Sequence, residues 1–287
     1  MRPLRWVATS TPALCRRLQA DASAEAVWAE SQARSLRGSA MVIELLEHAQ
    51  LIGALADALA ATGLYWVRPA MMELAMQASH DAPRVVTAQA IEPEGFLLLE
   101  KPLPPLPLPD IPDHRPIRPS GFVWHRHEMG MIVHVLARSS AGVAVWASQH
   151  DLVPVTAILI AGAEQDLTAA AAQDMLLAWL MSAWTLMVEP TLSDRRTIDP
   201  APGTEGAGRT WDTRSVTLVD LRRIRRRPIP AGDGSHELHH RFMVRGHWRQ
   251  QYHPSDRSHR LRWIAPYMKG PDGAPLLLTD QVMVWRR

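Results

Sequence analysis

The segment Arg241–His253, RFMVRGHWRQQYH, crowds arginine, histidine, tryptophan and tyrosine around one glycine. Read as a strand through Val244, it sets Phe242 and Val244 on one face and Arg241, Met243 and Arg245 on the other, because strand side chains alternate. Gly246 is expected to break or bulge the strand and re-aim His247 and Arg249 relative to Trp248. Arg245, His247, Arg249 and Tyr252 are the residue types that a metal-independent ribonuclease or toxin-like enzyme needs. His or Tyr can move a proton from a 2′-hydroxyl, and Arg can stabilise charge developing on phosphorus. A passive binder would use the same side chains, with Trp248 or Trp263 stacking on a base. No acids cluster here, which argues against two-metal nuclease chemistry.

A second basic cluster, Arg222-Arg223-Ile224-Arg225-Arg226-Arg227, precedes it. Guanidinium forks bind phosphate oxygens in pairs, and phosphate binding is largely electrostatic. Arg222, Arg223, Arg225 and Arg226, with Arg241, Arg245, Arg249, Arg260 and Arg262, therefore make up the expected phosphate-contacting set. The plainer alternative is a solvated strand end.

His125, His127 and His134, in HRHEMGMIVH, form the third constellation. His-x-His on a strand puts both rings on one face, and a hairpin at Met129 would bring His134 near them. Glu128, the neighbouring carboxylate, points to the opposite face and no cysteine completes the set. The expectation is a polar rim and no metal. There is also no P-loop, dinucleotide fingerprint, nucleophile elbow or paired-cysteine zinc signature, so no cofactor is implied.

Charge supports a basic C-terminal end. Met1–Ala207 carries 15 basic and 22 acidic residues; Gly208–Arg287 carries 16 and 7, with six further histidines. Such asymmetry points either to a polyanion-binding end or to an acidic part docked against a basic one. The chain is 287 residues long, 47% hydrophobic and 21% charged, ample for a soluble core. Cys15, the one cysteine, cannot make an internal disulfide and fits a reducing cytoplasm. The N-terminus lacks a secretory h-region, and the apolar run Met175–Val188 is shorter than the ~20 residues a membrane span needs. No membrane partner is expected.

The elements that would carry these residues read as follows. Ser39 caps a helix from about Ala40 to Thr62, and Gly63 is placed as its left-handed stop. A more polar surface helix is expected from Ser23 to Arg37, and a third from Pro69 to Ala78, with proline where a missing N–H costs least. GFLLLEKP is a short strand, followed by a proline-dense connector, PLPPLPLPDIPDHRPIRP, best read as a semi-rigid linker. GFVWHRH, GMIVHVLAR, GVAVWAS and VPVTAILI are strands joined by hairpin-like breaks. Asp166 or Thr168 caps a helix through Met187, apolar on nearly all sides, that should pack across the meander. Ser193–Arg214 reads as a flexible connector, and the tail as a small basic all-β module. The class is α+β. The expected regions are a mainly helical 1–94, a sheet plus long helix over 95–192, a linker over 193–214 and a basic β module over 215–287.

SAWTLMVEPTLSDRRT, VTLVDLRR, HHRFMVRGHWRQQ, WIAPYMKGPDGAPLLL and VMVWRR resemble a group of actinobacterial, plasmid- and phage-associated proteins. The likeness covers roughly Gly121 to Arg287, and Val244–Arg249 is its most specific string. It implies a cytoplasmic, mobile-element-borne protein and transfers no catalytic role. QQYHPSDRSHR and the N-terminal third depart from the group. Three functions remain open. The favoured one is nucleic-acid binding, DNA or RNA, through the basic module. The others are the ribonuclease and a structural protein whose acidic part covers the basic tail or joins a protein partner.

Overall fold

The computed structural model describes residues 5–36, 38–39, 41–81, 92–105, 118–127, 130–139, 142–145, 156–159, 171–199, 214–222, 240–255, 257–271 and 273–276. The expected α+β class holds: helices lie on both faces of one mixed sheet.

Helices α1 (Thr11–Ser35) and α2 (Met41–Ala61) form a hairpin. On α1, Leu14, Cys15, Leu18, Ala22, Ala26, Ala29 and Ala33 recur at three- to four-residue spacing and are all buried. The helix therefore starts well before Ser23, whose hydroxyl bonds the Gln19 carbonyl from inside it. Its earlier turns, from Thr11 to Leu18, are core, whereas from Ser23 onward only Ala26, Ala29 and Ala33 are buried and Val27 and Trp28 are exposed, so that stretch lies at the surface as expected. Gly38, at φ +90°, follows it in the left-handed conformation. Ser39 Oγ accepts the Met41 N–H at the start of α2, as anticipated. Gly63 does not stop α2 in a left-handed turn; it opens strand β1 (Gly63–Val67) with no positive φ.

Strand β1 lies inside the sheet, parallel to β2 (Gly95–Leu99) on one side and β8 (Val216–Leu221) on the other. Helix α3 (Pro69–Ala78), where the sequence places it, links β1 to β2. Beyond β2 the sheet is antiparallel, with β3 (Gly121–His127), β4 (Gly130–Ser139) and β5 (Gly142–Val145) as a meander. Strand β6 (Thr156–Leu159) pairs with β4 beside β5. The other edge is β7 (Ser193–Ile198), paired antiparallel with β8. Part of the expected linker is thus a strand, and the boundaries expected at 94/95, 192/193 and 214/215 are all bridged by one sheet. Its polar sequence, SDRRTI, suits an exposed edge, where charged side chains discourage pairing with another chain.

Alternation splits the buried strand residues into two cores. Leu64, Trp66, Phe96, Leu98, Val123 and Leu136 face α1 and α2. Tyr65, Leu97, Phe122, Trp124, Val133 and Val219 face α3 and α4 (Ala171–Val188). Helix α4 packs across the meander as expected: Trp179 stacks on Phe122 at 5.3 Å, and Trp184 meets Trp124 edge-on at 5.1 Å. Each such burial contributes about 1.5–3 kcal/mol, more for aromatic pairs. Among the described residues no helix is long and apolar enough to cross a membrane. Most of the proline-dense connector, Asp166, Thr168, Glu128 and the closing VMVWRR lie outside the described residues.

Candidate nucleic-acid interface

After β8 the described chain resumes in two small antiparallel ribbons. Strand β9 (Phe242–Val244) pairs with β12 (Tyr267–Lys269), and β10 (His247–His253) pairs with β11 (Ser258–Ile264). Arg245 and Gly246 separate β9 from β10, so the glycine does break the opening motif. Its reason is close approach rather than a special φ. A Cβ on Gly246 would lie 2.4 Å from Trp263 Cζ2 and 3.0 Å from Pro266 Cδ.

The tryptophans anchor the second ribbon. Trp248 and Trp263 are cross-strand partners, their rings edge-on at 5.1 Å. Trp263 is 4% exposed within the core that α3 and α4 share, and Trp248 Nε1 donates to the Ala78 carbonyl at 2.9 Å. Both indoles, expected to offer their faces to bases, are turned to the body, where burial of so large a ring yields most.

Once the Trp face is inward, parity orders the rest. His247, Arg249 and Gln251 share the outward face, opposite Ile264, Arg262 and Arg260. Arg249 and Arg262 are direct partners, and Arg262 Nη1 reaches Gln251 Oε1 at 3.3 Å. His247, Arg245 and Arg249 are exposed. Tyr252 sits opposite His259 on the Trp face, farther along, with ring centroids 5.1 Å apart. There the body no longer covers the ribbon: Tyr252 is 50% exposed, and Gln250 and His259 are exposed as well. The ribbon is thus moored at one end and open at the other.

The four candidate catalytic residues do not converge. His247 and Arg249 lie outward, whereas Tyr252 lies on the opposite face, about 16 Å from His247 along the strand. Arg245 precedes the break, and its carbonyl accepts from His247 Nδ1 at 3.1 Å. A shared reaction point for proton transfer and charge stabilisation is not formed.

The remaining arginines disperse. Arg241 is half-buried, its Nε donating to the Ala274 carbonyl at 2.9 Å, so it braces the 273–276 loop. Arg222 is exposed at the end of β8, beside the β7 edge. There the Asp194 carboxyl is held below its ordinary value, first by its hydrogen bond with Arg196 and more weakly by Arg222. Arg223, Arg225 and Arg226 lie outside the described residues, as does the Arg260 side chain. Sequence reasoning passed over Gln251, Gln250 and His259. The signal for them was parity counted from Trp248.

The histidines of the meander form a pair. His125 and His134 are buried on the α1/α2 side of the sheet, their Nε2 atoms 3.1 Å apart. At that distance one neutral ring donates its N–H to the bare nitrogen of the other. Burial, and then the neighbouring His125, push the His134 pKa down to about 3. This is an interior pair rather than the expected rim. The His127 side chain lies outside the described set, and among the described residues no group of three or more His, Cys, Asp or Glu could hold a metal ion.

The sequence matches no protein-family model and no curated protein. Among solved structures, the crystal structure of AcrVA2 aligns with 90% of this chain and 93% of its own, at 12% identity and a TM-score of 0.44.

Proposed function

We propose that the protein binds nucleic acid through the outward face of the β10–β11 ribbon. The observation that carries this reading is the direct cross-strand pairing of Arg249 with Arg262. Like charges set opposite each other weaken a ribbon, and neither strand contains an acidic residue to offset them. A polyanion laid across the face supplies the missing counter-charge, and guanidinium forks suit phosphate oxygens. His247 and Gln251 extend the same face with further hydrogen-bonding groups. The resemblance to plasmid- and phage-associated proteins suggests a cytoplasmic role in replication, defence or phage biology.

The test is anisotropy of labelled DNA and RNA with the full chain across a salt series. The logarithm of affinity should fall linearly with the logarithm of salt, by ~0.9 per phosphate contacted on a duplex. The Arg249→Ala, Arg262→Ala double variant should bind more weakly and lower that slope by about two. Absence of affinity at low salt for every probe overturns the reading.

A further inference from the structure

We infer that the ligand of this ribbon is double-stranded DNA, with the free end of the ribbon laid in the major groove. The inference rests on the nucleic-acid reading above and narrows it.

Single-stranded binding draws on open aromatic faces, because every unpaired base offers a ring to stack on. Here the ribbon withholds its two tryptophans and leaves a single tyrosine exposed. Trp248 and Trp263 meet edge-on against the body, and Trp263 is buried. Tyr252 is exposed, yet His259 lies against it at 5.1 Å with the rings tilted by 51°. What the ribbon presents instead is hydrogen-bonding and cationic groups at strand spacing, which suits a regular backbone.

Shape then chooses the duplex. Two strands lie ~4.8 Å apart and rise ~3.3 Å per residue, so the seven-residue strands β10 and β11 make a narrow bar roughly 20 Å long. The major groove of B-form DNA, about 12 Å wide and 8.5 Å deep, admits a two-stranded ribbon. The major groove of A-form RNA is too narrow for side chains to enter. Groove entry also requires polar groups on both faces of the bar. Beyond the tryptophans, Gln250, Tyr252 and His259 are exposed on one face, Arg249 on the other, and Arg257 at the turn. A ribbon lying flat on the body could offer only one face.

The experiment uses the full chain and three probes of one sequence: duplex DNA, duplex RNA and single-stranded DNA. Duplex DNA should bind about tenfold or more tightly than either of the others at equal salt. Guanine N7 atoms, which line the major groove, should be protected from dimethyl sulfate in the complex. Arg249→Ala should weaken duplex binding and reduce protection together, with the circular dichroism spectrum unchanged. Equal or tighter binding of duplex RNA or single-stranded DNA overturns this inference and leaves the nucleic-acid reading standing. Duplex binding without N7 protection overturns the groove placement. Binding of none of the three overturns both.

Discussion

His125 and His134 face each other across the β3–β4 hairpin with Nε2 atoms 3.1 Å apart, inside the sheet's α1/α2 face. A proton added to His134 would place a charge in that interior, where burial disfavours it and the neighbouring His125 adds to the cost. His134 titrates near 3 in the folded chain and near its ordinary 6.5 when unfolded. Between those values the unfolded state binds more protons, so stability rises with pH and falls on acidification. The slope should approach ~1.4 kcal/mol per pH unit for this one group, starting as pH drops through about 6.5. Urea denaturation from pH 7 to pH 4 measures it. His134→Gln should flatten the acid limb relative to wild type; an identical limb in both would show that other groups set it.

Gly246 should tolerate no side chain, because Trp263 fills the space a Cβ would take. Gly246→Ala must displace the indole, so a cost of about 1–3 kcal/mol is expected, the usual range for overpacking. Trp263→Ala should cost more, about 3–5 kcal/mol, through the cavity it leaves beside α3 and α4. Near-ultraviolet circular dichroism and thermal melts would read both. A Gly246→Ala protein with the wild-type Tm and tryptophan signal would show that the indole moves freely.

Arg249 and Arg262 set stability against binding. Replacing Arg249 with Thr removes a like-charge opposition and adds a strand-favouring residue, so the free protein should gain stability by up to ~1 kcal/mol. The same substitution should lower nucleic-acid affinity and reduce its salt dependence. Melting and binding measured on one preparation test the opposite signs; a loss in both would mark Arg249 as structural.

Arg214 closes the C-terminal end of α2. Its Nη1 donates to the Leu59 carbonyl at 2.9 Å and to the Thr62 carbonyl at 3.3 Å, while Nη2 reaches Cys15 Sγ at 3.7 Å. A guanidinium there satisfies carbonyls that a helix end leaves without partners and complements the helix dipole. Arg214→Met should cost about 1–3 kcal/mol by leaving those groups desolvated. Arg214→Lys should recover part of it, since an ammonium keeps the charge but not the fork. Chemical denaturation ranks the three proteins, and equal midpoints for Met and Lys would remove the charge from the explanation.

The sequence made legible those elements whose signal is local. Helix α3 shows proline in its first turn, and β3 and β4 show apolar runs beside a tight turn. Strand β1 stayed hidden because LYWV is brief and follows a helix; it is a strand because β2 and β8 flank it from far away in sequence. Strand β7 carries no apolar periodicity, since an edge facing water has no need of it. Along its whole length α1 buries mostly leucine and alanine, a weak signal beside its charged face. At the candidate site, residue types were legible and directions were not. An indole serves equally as an anchor or a stacking plate until something shows which face is inward. Parity alone already separates Tyr252 from His247 and Arg249; burial of Trp248 adds only which of the two faces is outward.

The place of β8 between β1 and β7 bears on how the chain is made. Strand β1 ends at Val67, while its second neighbour begins at Val216. A ribosome adding 5–20 residues per second takes roughly 7–30 s to span that interval. Throughout it, the Leu64–Val67 edge has no strand to seal it, although those four residues are buried in the finished protein. The nascent polypeptide therefore passes through a stage with an unsealed apolar edge, ready to accept a strand from another molecule. Newly made chains should depend on holding chaperones until Leu221 has emerged, and chains cut short before Val216 should aggregate rather than accumulate as a smaller folded protein.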